Sequence, residues 1–257
     1  MLKAYFSAML ADWGYPNQDL RFSFDYRPGD GVAFSGRLSG PALRRLADRL
    51  LCEQGRQDFA ARRTVIRKAI KLGLELEILP ADDNIGALDK NMQVRSILPQ
   101  NVQLTAYQGA VISVFLSLVR EDLKSTASVL STLGYALLAA MPSEETVTRI
   151  IPSGKLVVVI KELPDPDFDP FIVLGPEDGR RIADLMSVGV FRHYALRLEI
   201  RRKNGGASLA EVTECGIIED LRDGGPRSAY RGVLRALMQK ARSQLRGGFM
   251  QGFLSAA

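Results

Sequence analysis

Leu38–Leu50 reads LSGPALRRLADRL, and Phe171–Met186 reads FIVLGPEDGRRIADLM. Both stretches set Gly-Pro before a short spacer, then Arg-Arg, an aliphatic residue, Ala and Asp. Proline suits a first helical position, because its missing N–H has no intrahelical partner there. In the first copy Leu43, Leu46, Ala47 and Leu50 then follow at i, i+3, i+4 and i+7, one apolar stripe. In the second copy Gly179, Ile182, Ala183 and Met186 form the stripe, and Glu177 and Asp178 sit in the positive first turn. The second copy carries one extra residue between Pro and Arg-Arg.

The segment ahead of the first copy, LRFSFDYRPGDGVAFSGRL, alternates Leu20, Phe22, Phe24 and Tyr26 with polar residues. Period two marks a strand with one apolar face. RPGDG reads as a turn, and Val32, Phe34 and Leu38 resume the alternation. The unit is therefore a β-hairpin followed by a helix. Ahead of the second copy, KLVVVIKEL (155–163) is a strand, PDPDFDP a turn and FIVL the returning strand. A third unit spans 194–245, with YALRLEIRR, the turn KNGG, ASLAEV, and a long helix after Pro226. A fourth spans 74–120, with LELEIL, MQVRSIL and an apolar helix. Extra helices fall near 57–72 and 125–141. The expected fold is α+β: repeated hairpin–helix units forming two-layer lobes of antiparallel sheet and helix. Two lobes are expected, 1–142 and 143–257, joined at MPSEET.

The chain has 257 residues, 46% hydrophobic and 25% charged, enough for a packed core without covalent staples. Cys52 and Cys215 are too far apart to read as a disulfide framework, and two buried thiols in a reducing cytoplasm are expected. The N-terminal stretch lacks the core and cleavage site of a signal peptide. Leu104–Val119 and Ser125–Ser143 are uncharged, but each falls short of the roughly 20 apolar residues of a membrane span. Both read as buried helices, and no membrane partner is expected.

The residues that carry familiar chemistry are sparse. His193 is the one histidine, so a His/Cys metal site is not expected, and no G-x-S-x-G elbow accompanies it. It reads as a strand-entry residue near the surface. No phosphate-binding glycine loop occurs; SGK (153–155) is too short. Asp165, Asp167 and Asp169 alternate like a calcium loop, but the Gly and Glu of such a loop do not follow. A solvated turn is expected; Asp82 and Asp83 form another acid cluster. No cofactor is expected.

Net charge is +5, and its distribution is uneven. Gln54–Lys71 holds Arg56, Arg62, Arg63, Arg67, Lys68 and Lys71 against Asp58 alone. Pro226–Ala257 holds Arg227, Arg231, Arg235, Lys240, Arg242 and Arg246 with no acid, so the remainder of the chain is net acidic. At about 100° per residue, Arg227, Arg231, Arg235, Arg242 and Arg246 share roughly a quarter of the last helix's circumference. Tyr230, Val233, Leu234, Leu237 and Ala241 fill the adjacent arc. Arginine's planar fork suits phosphate oxygens. The 56–71 helix could supply a second basic wall, with Arg56, Arg63, Arg67 and Lys71 near one face by i, i+4 spacing and Phe59 and Tyr230 to stack bases.

PGDGVAFSG (28–36) resembles a short G-D-G-A-x-F-x-G hairpin of uncharacterised phage and plasmid proteins. The resemblance implies a mobile-element origin and no catalytic residue. Valine replaces the usual alanine, and the histidine-rich segments of that family are absent here.

The reading is a cytoplasmic protein that binds nucleic acid, RNA or DNA, without catalysis. Arg227, Arg231, Arg235, Arg242 and Arg246 would contact phosphates, and Arg62, Arg63, Arg67 and Lys68 would assist. The rival is a protein-interaction module, an inhibitor or assembly subunit, whose ladder meets an acidic protein surface and whose apolar tail GGFMQGFLSAA docks. A third class is a metal-independent ribonuclease using Tyr, Lys, Arg or His193.

Overall fold

The computed structural model describes residues 1–27, 30–52, 58–79, 92–204, 208–223 and 229–254. The elements in chain order are α1 (Leu2–Trp13), β1 (Asp19–Ser23), β2 (Gly31–Leu38), α2 (Gly40–Cys52) and α3 (Asp58–Lys71). Then come β3 (Glu75–Leu79), β4 (Gln93–Ile97) and α4 (Ala106–Ala139). The second half holds β5 (Thr146–Ser153), β6 (Leu156–Leu163), α5 (Pro170–Leu174), α6 (Pro176–Ser187), β7 (Phe191–Arg202), β8 (Ser208–Asp220) and α7 (Ala229–Leu254). The chain is α+β, with two four-stranded antiparallel sheets in the orders β1-β2-β3-β4 and β5-β6-β7-β8.

Each of the four hairpins is followed by helix, and the Gly-Pro phrase opens α2 after β1–β2 and α6 after β5–β6. The shared phrase thus occupies one topological position twice. The chain divides between Tyr135 and Ala136, inside α4 and upstream of the expected MPSEET joint. Leu2–Tyr135 forms one unit; Ala136–Ala257 with Met1 forms the other.

In the first unit the α2 stripe is buried as its spacing requires: Leu43, Leu46, Ala47 and Leu50. They join Phe6 and Leu10 of α1, Val32 and Phe34 of β2, and Leu76 and Ile78 of β3 in the buried interior. Asp122 of α4 accepts a hydrogen bond of 2.5 Å from the Tyr15 hydroxyl and two from the Arg49 guanidinium, at 3.0 and 2.5 Å. Burial and the Asp122 carboxylate push the Tyr15 phenol far above its ordinary range. Pro28 and Gly29 of the GDG stretch lie outside the described residues, and Gly31–Gly36 open β2.

The two uncharged stretches expected as separate helices are one helix, α4, of 34 residues. Arg120–Lys124 between them contains no proline or glycine, so nothing breaks the hydrogen-bond ladder, and its charges find partners such as Arg49 for Asp122. No described helix is long and apolar enough to cross a membrane.

In the second unit the core is a set of cross-strand rows. Leu198 of β7 lies between Ile160 of β6 and Val212 of β8, and Ile200 lies between Val158 and Ala210. Leu237 and Ala241 of α7, fully buried, cap these rows, with Val233, Leu234, Met238 and Leu245 at their flanks.

FIVL, expected as a returning strand, is instead the short helix α5. Asp169 accepts a hydrogen bond from the Phe171 N–H at 3.0 Å, and Pro170 stands in the first turn. This N-cap overrides the β-propensity of Ile172 and Val173. The true hairpin partner of β6 is β5, which precedes it. Gly175, with φ +86°, turns the chain from α5 into α6.

The extra residue of the second phrase has a packing role. A Cβ at Gly179 would fall 2.7 Å from the Phe171 Cα and 2.8 Å from the Phe171 N, both backbone atoms. Glycine therefore lets α5 lie against α6, which α2, with no such preceding helix, does not need. Gly179→Ala is expected to cost about 1–3 kcal/mol by overpacking. Chemical denaturation should show the loss as a lower midpoint, whereas an unchanged midpoint would contradict this packing.

Candidate nucleic-acid interface

Docking α7 by Leu237 and Ala241 fixes where its other side points. Arg231, Arg235, Arg242 and Arg246 lie about 120–180° around the helix from Leu237. The side chains of Arg235 and Arg242 are exposed, and neither pairs with a described acid. Lys240 differs, reaching Glu214 of β8 at 2.6 Å. Arg231 and Arg246 hold positions on α7, with side chains outside the described ones, as is Tyr230's. Arg227 lies outside the described residues altogether, as do Arg56, Asp82, Asp83 and most of the GGPRSAYRG turn.

The second basic set belongs to the other unit and is engaged within it. Arg67 of α3 makes a fork to Asp48 of α2, at 2.9 and 2.7 Å. This pairing raises the guanidinium pKa further. Arg63 donates to the Cys52 Sγ at 3.0 Å. Arg62 stacks over Phe59 at 5.2 Å, and Phe59 is itself buried, so its ring is covered rather than offered to a base. Lys68 is exposed. Both cysteines are exposed and free, not buried as expected.

Three cations that sequence reasoning missed share a cavity with Gln244 and Leu245 of α7. Because β5–β6 and β7–β8 are neighbouring hairpins of one antiparallel sheet, their turns fall at the same end. The Lys203 N–H donates to the Lys155 carbonyl at 2.9 Å and ties the two turns together. Lys155, Arg202 and Lys203 are exposed, and none forms an ion pair with a described residue. They line a cavity of about 890 Å³ together with Leu156, Leu209 and Leu245. Asn204 and Gln244 add to its polar lining. The available signal was the pair of turn sequences SGK and RRKNGG, once the strands beside them are paired.

Elsewhere on this sheet Lys161 and Arg192 are each held by two acids. Lys161 lies 2.6 Å from both Glu145 and Glu199, and Arg192 bridges Glu162 at 2.9 Å and Glu219 at 2.6 Å. Lys161 holds the Glu145 carboxyl below its usual range.

The acidic turn is structural rather than solvated. Asp165 is buried and accepts from the Gly216 N–H at 2.6 Å, and Asp169 caps α5. Asp167 alone of the three is exposed. No cluster of potential metal ligands occurs among the described residues.

His193 is 2% exposed, not near the surface. It lies in β7 with its ring 5.2 Å from Phe168, because the strand continues inward past the turn. Burial pushes its imidazole below the ordinary histidine range, against the opposing pull of Asp165. The folded chain therefore binds fewer protons there than the unfolded chain, in the window from about pH 6.5 down to the lower folded value. Stability is lost as pH falls through that window. Melts at about pH 7.5 and 5.5 should show a lower midpoint at the acid end, with the difference reduced in His193→Gln. An equal difference in both chains would assign it elsewhere. No protein-family model, curated protein or solved structure matches the chain.

Proposed function

We propose that the chain is a cytoplasmic nucleic-acid-binding protein that holds the phosphate backbone without chemistry on it. One observation carries this reading. Arg235 and Arg242 stand exposed and without described acid partners on a helix that contains no acid at all. Lys155, Arg202 and Lys203 extend the basic surface at the end of the same sheet. Polyanions gain from such a surface chiefly by releasing counterions, so binding of this kind is steeply salt-dependent and weakly sequence-dependent. The residues expected on α3 have a smaller share, because Arg62, Arg63 and Arg67 already hold partners and Lys68 alone is open.

A second reading, a protein-interaction module, draws support from β5. All eight residues of this edge strand are exposed, with Ile150 at 58% and Val147 at 49%. An unpaired strand edge with apolar side chains is a template for an added strand. Its bulge between Val147 and Arg149 and its Pro152 blunt that edge, which favours the charge-based reading.

The test is the double reversal Arg235→Glu/Arg242→Glu. The purified chain should retain RNA or DNA on a filter, and the slope of log affinity against log salt should fall by about two for the variant. Affinity at about 0.1 M salt should drop at least tenfold, with the circular dichroism spectrum unchanged. A folded variant with undiminished retention would overturn the reading. Loss of a copurifying protein on Ile150→Asp, with no nucleic acid in the preparation, would select the second.

A further inference from the structure

The cavity at the sheet end has the chemistry of a nucleotide rather than of a bare phosphate. Its described lining includes the leucines Leu156, Leu209 and Leu245 and the cations Lys155, Arg202 and Lys203. Two carboxamides, Asn204 and Gln244, belong to the same lining. A nucleobase presents the matching surfaces: apolar faces, an edge of hydrogen-bond donors and acceptors, and a phosphate one sugar away. Carboxamides pair with base edges, as asparagine and glutamine do with adenine. An acyl chain would use the leucines and the cations but leave both carboxamides without a role. In a duplex the base faces are stacked and out of reach; in a single strand they are free.

We propose that this cavity takes an unstacked base of a single-stranded nucleic acid, with Lys155, Arg202 and Lys203 on the flanking phosphates. This rests on the nucleic-acid reading above and narrows it to single strands. The cavity has space for more than one nucleotide at about 890 Å³. The cavity lies in the same unit as α7, so a strand held by Arg242 can enter without crossing between units.

The experiment compares a fluorescein-labelled mixed-sequence single strand with a duplex of equal phosphate count, by polarisation at fixed salt. Single strand should bind about tenfold tighter. Leu209→Ser changes no charge and alters a side chain already 40% exposed, so it leaves the fold in place. It should bring the ratio towards one while duplex affinity stays level. Asn204→Ala, at an exposed turn position, should act in the same direction. Equal affinity for the two forms, or an unchanged ratio in Leu209→Ser, would overturn the inference and leave the broader reading standing. Failure of both forms to bind would remove the broader reading itself. Phosphatidylcholine vesicles containing phosphatidylserine form the third arm. Vesicle binding that Leu209→Ser abolishes, without nucleic-acid binding, would reassign the cavity to lipid and overturn the inference.

Discussion

The second unit depends on the seating of α7 across the sheet through Leu237 and Ala241. These two positions are one helical turn apart and fully buried against the Val158–Ile200–Ala210 and Ile160–Leu198–Val212 rows. A helix held by one stripe has no freedom of rotation. The basic positions lie about 80–140° round the helix from Ala241, on the arc beside the buried stripe, and Arg235 and Arg242 are exposed there. Truncating either buried contact would loosen the helix and scatter the charge pattern, so fold and candidate function share one apolar seam. Large-to-small changes at such sites cost about 2–5 kcal/mol for leucine, which is a large share of a domain's net stability.

Strand pairing does the rest of the positioning. Lys155 and Lys203 are far apart in sequence, and only the antiparallel β6–β7 ladder, with Leu156 opposite Arg202, brings their turns together. The cavity follows from the same geometry. Leu156 at the start of β6 and Leu209 near the start of β8 come to the same end of the sheet, where Leu245 of α7 joins them in the lining. The basic lining arises because turns are exposed and can carry charge at little cost, whereas the strand interiors between them must be apolar or paired.

Much of the fold was legible because it is written in periodicity and punctuation. The α2 stripe, the hairpins and the long final helix follow from apolar spacing and from Gly and Pro placement. FIVL failed that procedure because β-branched residues were weighed above the Asp-Pro pair that starts α5. The pair is a cap, and a cap acts through one backbone N–H that composition does not weigh. The continuity of α4 was missed because a charged run was taken for a boundary, although Asp122 is an interior hub for Tyr15 and Arg49. The site was half legible. A helix's outward arc can be read by angle, but Arg67 looked identical to Arg235 in the sequence. Only tertiary structure shows that Asp48 meets one and nothing described meets the other. The cavity was illegible because its residues come from two turns that only the strand ladder brings together and from Gln244 and Leu245 within α7.

The distribution of acids shows why the open cations are tolerable. Arg235 and Arg242 are seven residues apart, about 10.5 Å along the axis. Two unit charges at that distance in water repel by only about 0.4 kcal/mol, and salt at about 0.1 M screens much of it. This pair therefore needs no acid between its members. Lys161 and Arg192 are in a different position: they are more than two-thirds withdrawn from water, where an uncompensated charge costs far more. Each of them has two carboxylates close by. Acids meet the two withdrawn cations, and among the described residues none meets Arg235 or Arg242. An omission of that kind gives no stability to the free protein, but it leaves the charges of Arg235 and Arg242 open to solvent.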